Sequence, residues 1–244
     1  MDPLRVTDLN AFYGKAHVLH GVTFSAAEGT VVGILGRNGA GKTTLLKAIM
    51  RLDVSTTGEV AALGRPTAGM TTDAIARLGV AYMPQDVRVF PLLTVRENIS
   101  VAANAVAKPK PLGEILAMIP ELEPMLGRAA GTLSGGQKQL VGIARSLSMR
   151  CRLLLMDEPT EGLMPRLVAE VGNIVRRLAA EGVCVVLVEQ NIGLVTGICD
   201  RAYIMEKGQM KWHGKASEVV PAGVLDRYMG VNVNAQPAPA EAGR

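Results

Sequence analysis

The sequence predicts an α/β fold, a mixed or parallel sheet with an antiparallel β flank and a small helical subdomain. Three patterns carry this expectation. Thr30 to Leu35, Leu153 to Met156 and Val183 to Val188 are short apolar runs without alternation, as expected for strands covered on both faces. Between the last two lies a helical pattern from about Pro165 to Ala180, with Pro165 suited to a first turn and Gly182 to a C-terminal stop. That makes one βαβ crossover. The first ~25 residues and Thr57 to Arg65 carry short β-like pieces punctuated by Gly, which read as the antiparallel flank.

A chain of 244 residues supports one compact domain with a subdomain. The domain is expected over 1–230. Val95 to Val106 and Leu112 to Ile119 are helical in pattern and are separated by Pro109 and Pro111, with Pro120 and Pro124 following. This segment is the expected helical subdomain, inserted at about 86–150. From Val231 onward the chain is rich in Ala, Pro and Asn without apolar period, so 231–244 is expected to be a disordered tail.

Composition narrows the function classes. With 48% hydrophobic and 20% charged residues, disorder is excluded as the main state. A net charge of +4 is too weak to argue for nucleic acid, though it suits a membrane surface or a polyanionic ligand. Mean hydropathy is +0.24, yet no window of ~18 residues is free of charge or Pro, so no membrane span is expected. Acids within MDPLRVTDLN and the lack of a long apolar stretch there argue against a signal peptide. Cys151, Cys184 and Cys199 lack metal-ligand spacing and sit among apolar residues, the pattern of buried, reduced thiols.

Gly36, Arg37, Asn38, Gly39, Ala40, Gly41, Lys42, Thr43 and Thr44 fit G-x-x-x-x-G-K-[ST], after an expected strand and before an expected helix. Glycines let successive backbone N–H groups turn inward toward phosphate oxygens. A helix starting near Thr43 adds its positive end. Lys42 can reach β and γ phosphates, and the Thr43 hydroxyl can ligate Mg²⁺.

The run Leu153 to Met156 ends in Asp157 and Glu158. Ligands of open α/β sheets gather at the carboxyl ends of strands, which puts both acids beside the phosphate loop. Asp157 suits the hydration shell of Mg²⁺, and Glu158 suits a base that polarises an attacking water. Taken alone, a strand end that merely turns polar is the better reading of this pair. Leu133-Ser134-Gly135-Gly136-Gln137 then precedes a helical stretch from Lys138 to Ser148. Phosphate loop, LSGGQ and an apolar run closing on Asp-Glu, in that order, resemble the ATP-binding cassette (ABC) family. Chance agreement of the set is below roughly one in a million at average composition.

The resemblance covers about residues 4 to 230. It implies a P-loop NTPase core, ATP with Mg²⁺, and ATP hydrolysis coupled to transport of a solute across a membrane. It implies that Tyr13 stacks on adenine, that Gln85 contacts Mg²⁺ and the attacking water, and that Thr43, Gln85 and Asp157 surround the ion. Ser134 and Gly136 match residues that reach the γ-phosphate bound by the opposite subunit, with Gln137 beside them. Two chains would then be needed for one complete site. Glu158 and Gln190 match the hydrolytic positions.

Two places depart from the commonest pattern of that family. Met164 stands where many cassettes have Asp in the D-loop, and Gln190 stands where most have His in the switch. Both departures resemble the branched-chain amino-acid importer branch, particularly its subunit that pairs with a second, different ATPase. Urea and amide importers carry similar short strings. The resemblance then implies two integral membrane permease subunits, a second ATPase subunit or a second copy, a periplasmic solute-binding protein acting indirectly, and no nucleic acid. The place implied is the cytoplasmic face of the cell membrane. Lipopolysaccharide export and sulfur-cluster assembly use single cassettes of this length and stay open as alternatives. The short separation between Gln85 and Leu133 leaves no room for a long coiled-coil insertion.

Overall fold

Apolar side chains on alternate positions of one six-stranded sheet divide between two cores, and this division organises the computed structural model. It describes residues 2–87 and 89–230. In the larger sheet, β3 (Val31–Leu35), β6 (Val80–Met83), β7 (Leu153–Asp157), β8 (Cys184–Glu189), β9 (Arg201–Glu206) and β10 (Gln209–Lys215) lie in the order β10-β9-β3-β8-β7-β6. All neighbours in it are parallel except the β9–β10 hairpin. Val31, Leu154, Met156, Val185 and Leu187 point into one core, while Val32, Leu153, Leu155, Val186 and Val188 point into the other. Both faces are therefore dry, which is why these strands read as unbroken apolar runs.

The second core is closed by an antiparallel sheet of β1 (Leu4–Tyr13), β2 (Ala16–Ala26), β4 (Ser55–Ala62) and β5 (Arg65–Pro66) in the order β2-β1-β4-β5. This is the expected flank. Between the sheets runs α1 (Lys42–Met50), with Leu45, Leu46 and Ile49 fully buried. A short helix, α2 (Thr72–Arg77), follows the flank and leads to β6. The two sheets are joined at the β9–β10 turn. Gly208 donates its N–H to the Ala40 carbonyl at 2.8 Å, and its own carbonyl accepts from His20 N at 2.9 Å. A Cβ on Gly208 would stand 1.9 Å from the Val18 carbonyl oxygen, so only glycine fits there.

Between β6 and β7 the chain is helical, with α3 (Val95–Ala103), α4 (Leu112–Met118), 3₁₀ turns at Pro120–Met125 and Ala130–Thr132, and α5 (Gly135–Ser148). Thr94 and Glu97 form a reciprocal capping box on α3. The helix stops at Ala103, three residues before the expected end. At the other end of this segment, α5 starts three residues earlier than the expected Lys138. Ser134 accepts from Gln137 N, and the Gln137 side chain accepts from Ser134 N at 3.0 Å, which seats both glycines in the first turn.

After β7 the crossover helix α6 (Pro165–Ala180) returns the chain to β8, with Val171, Ile174, Val175 and Leu178 on its buried face. Then α7 (Ile192–Ile198) leads to β9 and α8 (Val224–Met229) closes the described chain. The tail expected at 231–244 lies outside the described residues. Among the described residues no helix is long and apolar enough to cross a membrane.

Candidate active site

Parallel pairing sets the carboxyl ends of three strands side by side, because Leu35 is opposite Glu189 and Asp157 is opposite Val188. The segment after β3 turns through the phosphate loop and enters α1. Gly41 is its N-cap at φ 105, a left-handed backbone that a side chain would strain. The Lys42 ammonium, 4% exposed, donates to the Gly36 carbonyl at 2.8 Å and to the Arg37 carbonyl at 3.2 Å. Its third contact is an ion pair with Glu158 Oε1 at 2.9 Å.

The acids behave differently although they are adjacent. Asp157 is the last residue of β7 and holds two hydroxyls, Thr43 Oγ1 on Oδ1 at 3.1 Å and Tyr82 OH on Oδ2 at 3.2 Å. Burial raises its carboxyl above the usual carboxylate range, while those two donors pull in the opposite direction. The Tyr82 phenol is likewise pushed up, chiefly by burial and then by the charge of Asp157. Glu158 takes a left-handed backbone at φ 45 and donates its N–H to the Val188 carbonyl at 3.0 Å. A non-glycine residue held there stores about 1–2 kcal/mol of strain. That kink turns the carboxylate out of the strand line and toward the loop.

Gln190 completes the cluster. Its amide nitrogen donates to Glu158 Oε2 at 2.9 Å and to Asn38 Oδ1 at 2.8 Å. Glu158 thus has Lys42 on one oxygen and Gln190 on the other. Asn38, Lys42, Thr43, Asp157, Glu158 and Gln190, all expected from the sequence, are brought together by direct contacts, and Tyr82 joins them unexpected. Only its place at a strand end, three residues before Gln85, could have signalled it.

Apart from Gly36 and Arg37, whose carbonyls hold the Lys42 ammonium, the other expected residues lie outside that contact network. The amide of Gln85 bonds the Glu161 carboxylate, within the D-loop segment from Glu158 to Met164. Tyr13 ends β1 and is 40% exposed. Ser134 and Gln137 bond each other, and Gly136 packs on α6, where an added Cβ would meet Leu167 Cδ1 at 2.2 Å. Gly39, Arg37 and Asn38 are exposed on the loop, Gly36 and Ala40 are buried beneath it, and Thr44 is buried in α1.

Residues 19–161 match the ABC transporter family. The chain is 34% identical over 226 residues to the high-affinity branched-chain amino acid transport ATP-binding protein BraG of Pseudomonas aeruginosa, spanning 91% of this chain and 97% of that one. It is 35% identical over 221 residues to the probable branched-chain amino acid transport ATP-binding protein LivF of Archaeoglobus fulgidus, spanning 89% and 94%. The lipopolysaccharide export system ATP-binding protein LptB of Acidithiobacillus ferridurans is 32% identical over 222 residues, spanning 89% and 92%. A crystal structure of an ATP-binding cassette of an ABC transporter in its ADP conformation superposes with a TM-score of 0.81 at 27% identity, covering 95% of this chain and 100% of that one.

Fold and site together define a P-loop ATPase. The chain belongs to the ABC transporter family, as an ATP-binding, ATP-hydrolysing subunit.

Proposed function

We propose that this subunit drives an importer for branched-chain amino acids or for related amides or urea. It works as one half of a head-to-tail dimer with a second ATPase subunit. Two integral membrane permease subunits are moved by that dimer at the cytoplasmic face of the membrane, and a periplasmic binding protein delivers the solute. The carrying observation is the position of Glu158 between Lys42 and Gln190. A triphosphate entering the loop meets inward N–H groups and the Lys42 ammonium, which exchanges its carbonyl and carboxylate partners for phosphate oxygens. Glu158, relieved of that pairing, accepts a hydrogen bond from the attacking water, and Gln190 donates to the γ-phosphate side.

The Thr43 hydroxyl and Asp157 carboxylate converge as two hard oxygens, a donor set that fits Mg²⁺, with the Gln85 amide oxygen as a third candidate. When bound, Mg²⁺ neutralises charge on the phosphoryl oxygens. At the α5 N-terminus Ser134 is exposed, Gln137 half-buried and Gly136 buried beneath them, a face able to serve a nucleotide held by the other subunit; Tyr13 supplies the adenine platform.

Solute class rests on the switch Gln190 and on the two branched-chain relatives. The lipopolysaccharide relative supports a second reading, export of that lipid. Affinity purification of the tagged chain from its native membrane tests both. Two permeases, a second ATPase and solute uptake stimulated by a binding protein are expected. Recovery of lipopolysaccharide-bound partners with no binding-protein dependence would replace the importer by the exporter.

A further inference from the structure

Glu189 ends β8 with 2% exposure, a buried carboxylate that the hydrolytic reading does not use. Its two oxygens face different segments. Oε1 accepts from Thr160 N at 3.1 Å and from Thr160 Oγ1 at 2.7 Å, in the D-loop. Oε2 accepts from Gln190 N at 3.1 Å and from Asn191 N at 3.3 Å, in the switch. Burial raises this carboxyl above its ordinary range, and every one of those four donors opposes the rise. Thr160 is itself buried, so the D-loop end of the bridge is shielded from solvent.

We propose that Glu189 is a positioning residue that ties the D-loop to the switch, so that the placement of Thr160 sets the aim of the Gln190 amide on Glu158. This inference rests on the reading of Glu158 and Gln190 as the hydrolytic pair. A carboxylate is planar and short, so a displacement of Thr160 passes to the Gln190 backbone with little loss. Gln190 bonds Glu158 and Asn38 through a single nitrogen, and two such bonds at once tolerate shifts of only a few tenths of an ångström. Next to it, Asn191 caps α7 by accepting from Leu194 N at 3.0 Å, which anchors the far side of the switch. A partner pressing on the D-loop would therefore be felt at the γ-phosphate side of the site.

The test measures ATPase kinetics in the assembled transporter for Thr160→Val and Thr160→Ser, each alone and with Gln190→Ala. Valine keeps the volume and deletes one donor to Glu189. Alone, Thr160→Val should lower kcat about 5- to 10-fold, the net worth of one ordinary hydrogen bond, with KM for ATP within about twofold. Thr160→Ser should restore the rate. On the Gln190→Ala background, Thr160→Val should cost nothing further, because the group it aims is gone. Equal fold losses on both backgrounds, or an unchanged kcat, would overturn the inference. So would a loss that Thr160→Ser fails to restore. Glu158→Gln run in parallel separates the two ideas. If it stalls while Thr160→Val turns over normally, the bridge alone fails; if it turns over normally, the hydrolytic reading fails.

Discussion

Lys42 and Glu158 form an ion pair at 2.9 Å with side chains only 4% and 6% exposed, so the cation proposed to bind phosphate and the proposed base hold one another. Glu158→Gln keeps the shape and one accepting oxygen and removes the charge. ATP binding should persist while hydrolysis falls by ~10²-fold or more. An ATP-bound dimer should accumulate on size-exclusion chromatography. Turnover within about threefold of the parent would reject the base assignment.

The switch makes a pH prediction. The Gln190 amide donates to Glu158 and Asn38 and has no proton to lose near neutrality. Gln190→Ala should lower turnover sharply with little change in ATP affinity. Gln190→His should remain active but acquire a change of rate as pH passes the ordinary histidine value of ~6.5, where the parent is level. ATPase rate against pH for the three proteins, assembled with their partners, decides it. An Ala variant as fast as the parent would reduce Gln190 to a polar strand end.

Phe90 and Leu92 present apolar surface on the segment after Gln85, 44% and 94% exposed. The Phe90 backbone is pinned by Asn98, which donates to its carbonyl at 3.1 Å and accepts from its N–H at 2.8 Å, and Arg145 lies 5.4 Å from its ring centre. Beside them a cavity of ≈ 570 Å³ is lined by Lys47, Tyr82, Pro84, Gly142 and Arg145 among others. A membrane subunit docking here would bury the ring. Phe90→Ala should therefore reduce recovery of permease on co-purification while the melting temperature of the isolated subunit falls by no more than a few degrees, since an exposed cation–π contact is worth about 0.5–1 kcal/mol. Loss of fold instead would mean that Phe90 serves packing alone.

The cysteines should be inert. Burial pushes the Cys151 and Cys184 thiols up to about 12, and raises Cys199 as well. At pH 8 a thiol of that kind is about a thousandfold poorer in thiolate than an ordinary one. A chromogenic disulfide reagent should find almost no fast-reacting thiol in the native chain and three after denaturation. One rapid native equivalent would show that a thiol reaches solvent.

What the sequence disclosed follows from how strongly each position is constrained. The phosphate loop was plain because Gly41 needs φ 105, and its glycine-to-lysine spacing is long and specific enough to stand out. The strand end carrying Asp157 and Glu158 was legible only in company with the phosphate loop and LSGGQ, since both β7 and β8 close on buried acids and such an end alone says little. Tyr82 was invisible, since a tyrosine in an apolar strand ordinarily packs and only its hydroxyl contact with Asp157 gives it a part in the site. Glu189 was hidden by its neighbour Gln190, and its partner Thr160 is distant in sequence though adjacent through the β7–β8 register. The early start of α5 was legible after all, because Ser134 followed by Gln137 spells a capping box that the two intervening glycines concealed.

Gly208 gives the phosphate loop an outer wall. Since Ala40 is tethered to it and the Val18 carbonyl leaves no space for a side chain, the loop's shape is fixed partly by a hairpin more than a hundred residues downstream. Changes in that hairpin are consequently expected to be read out as changes in nucleotide affinity. An insertion or a larger residue there would deform the loop from behind while every residue of the loop itself stayed unchanged.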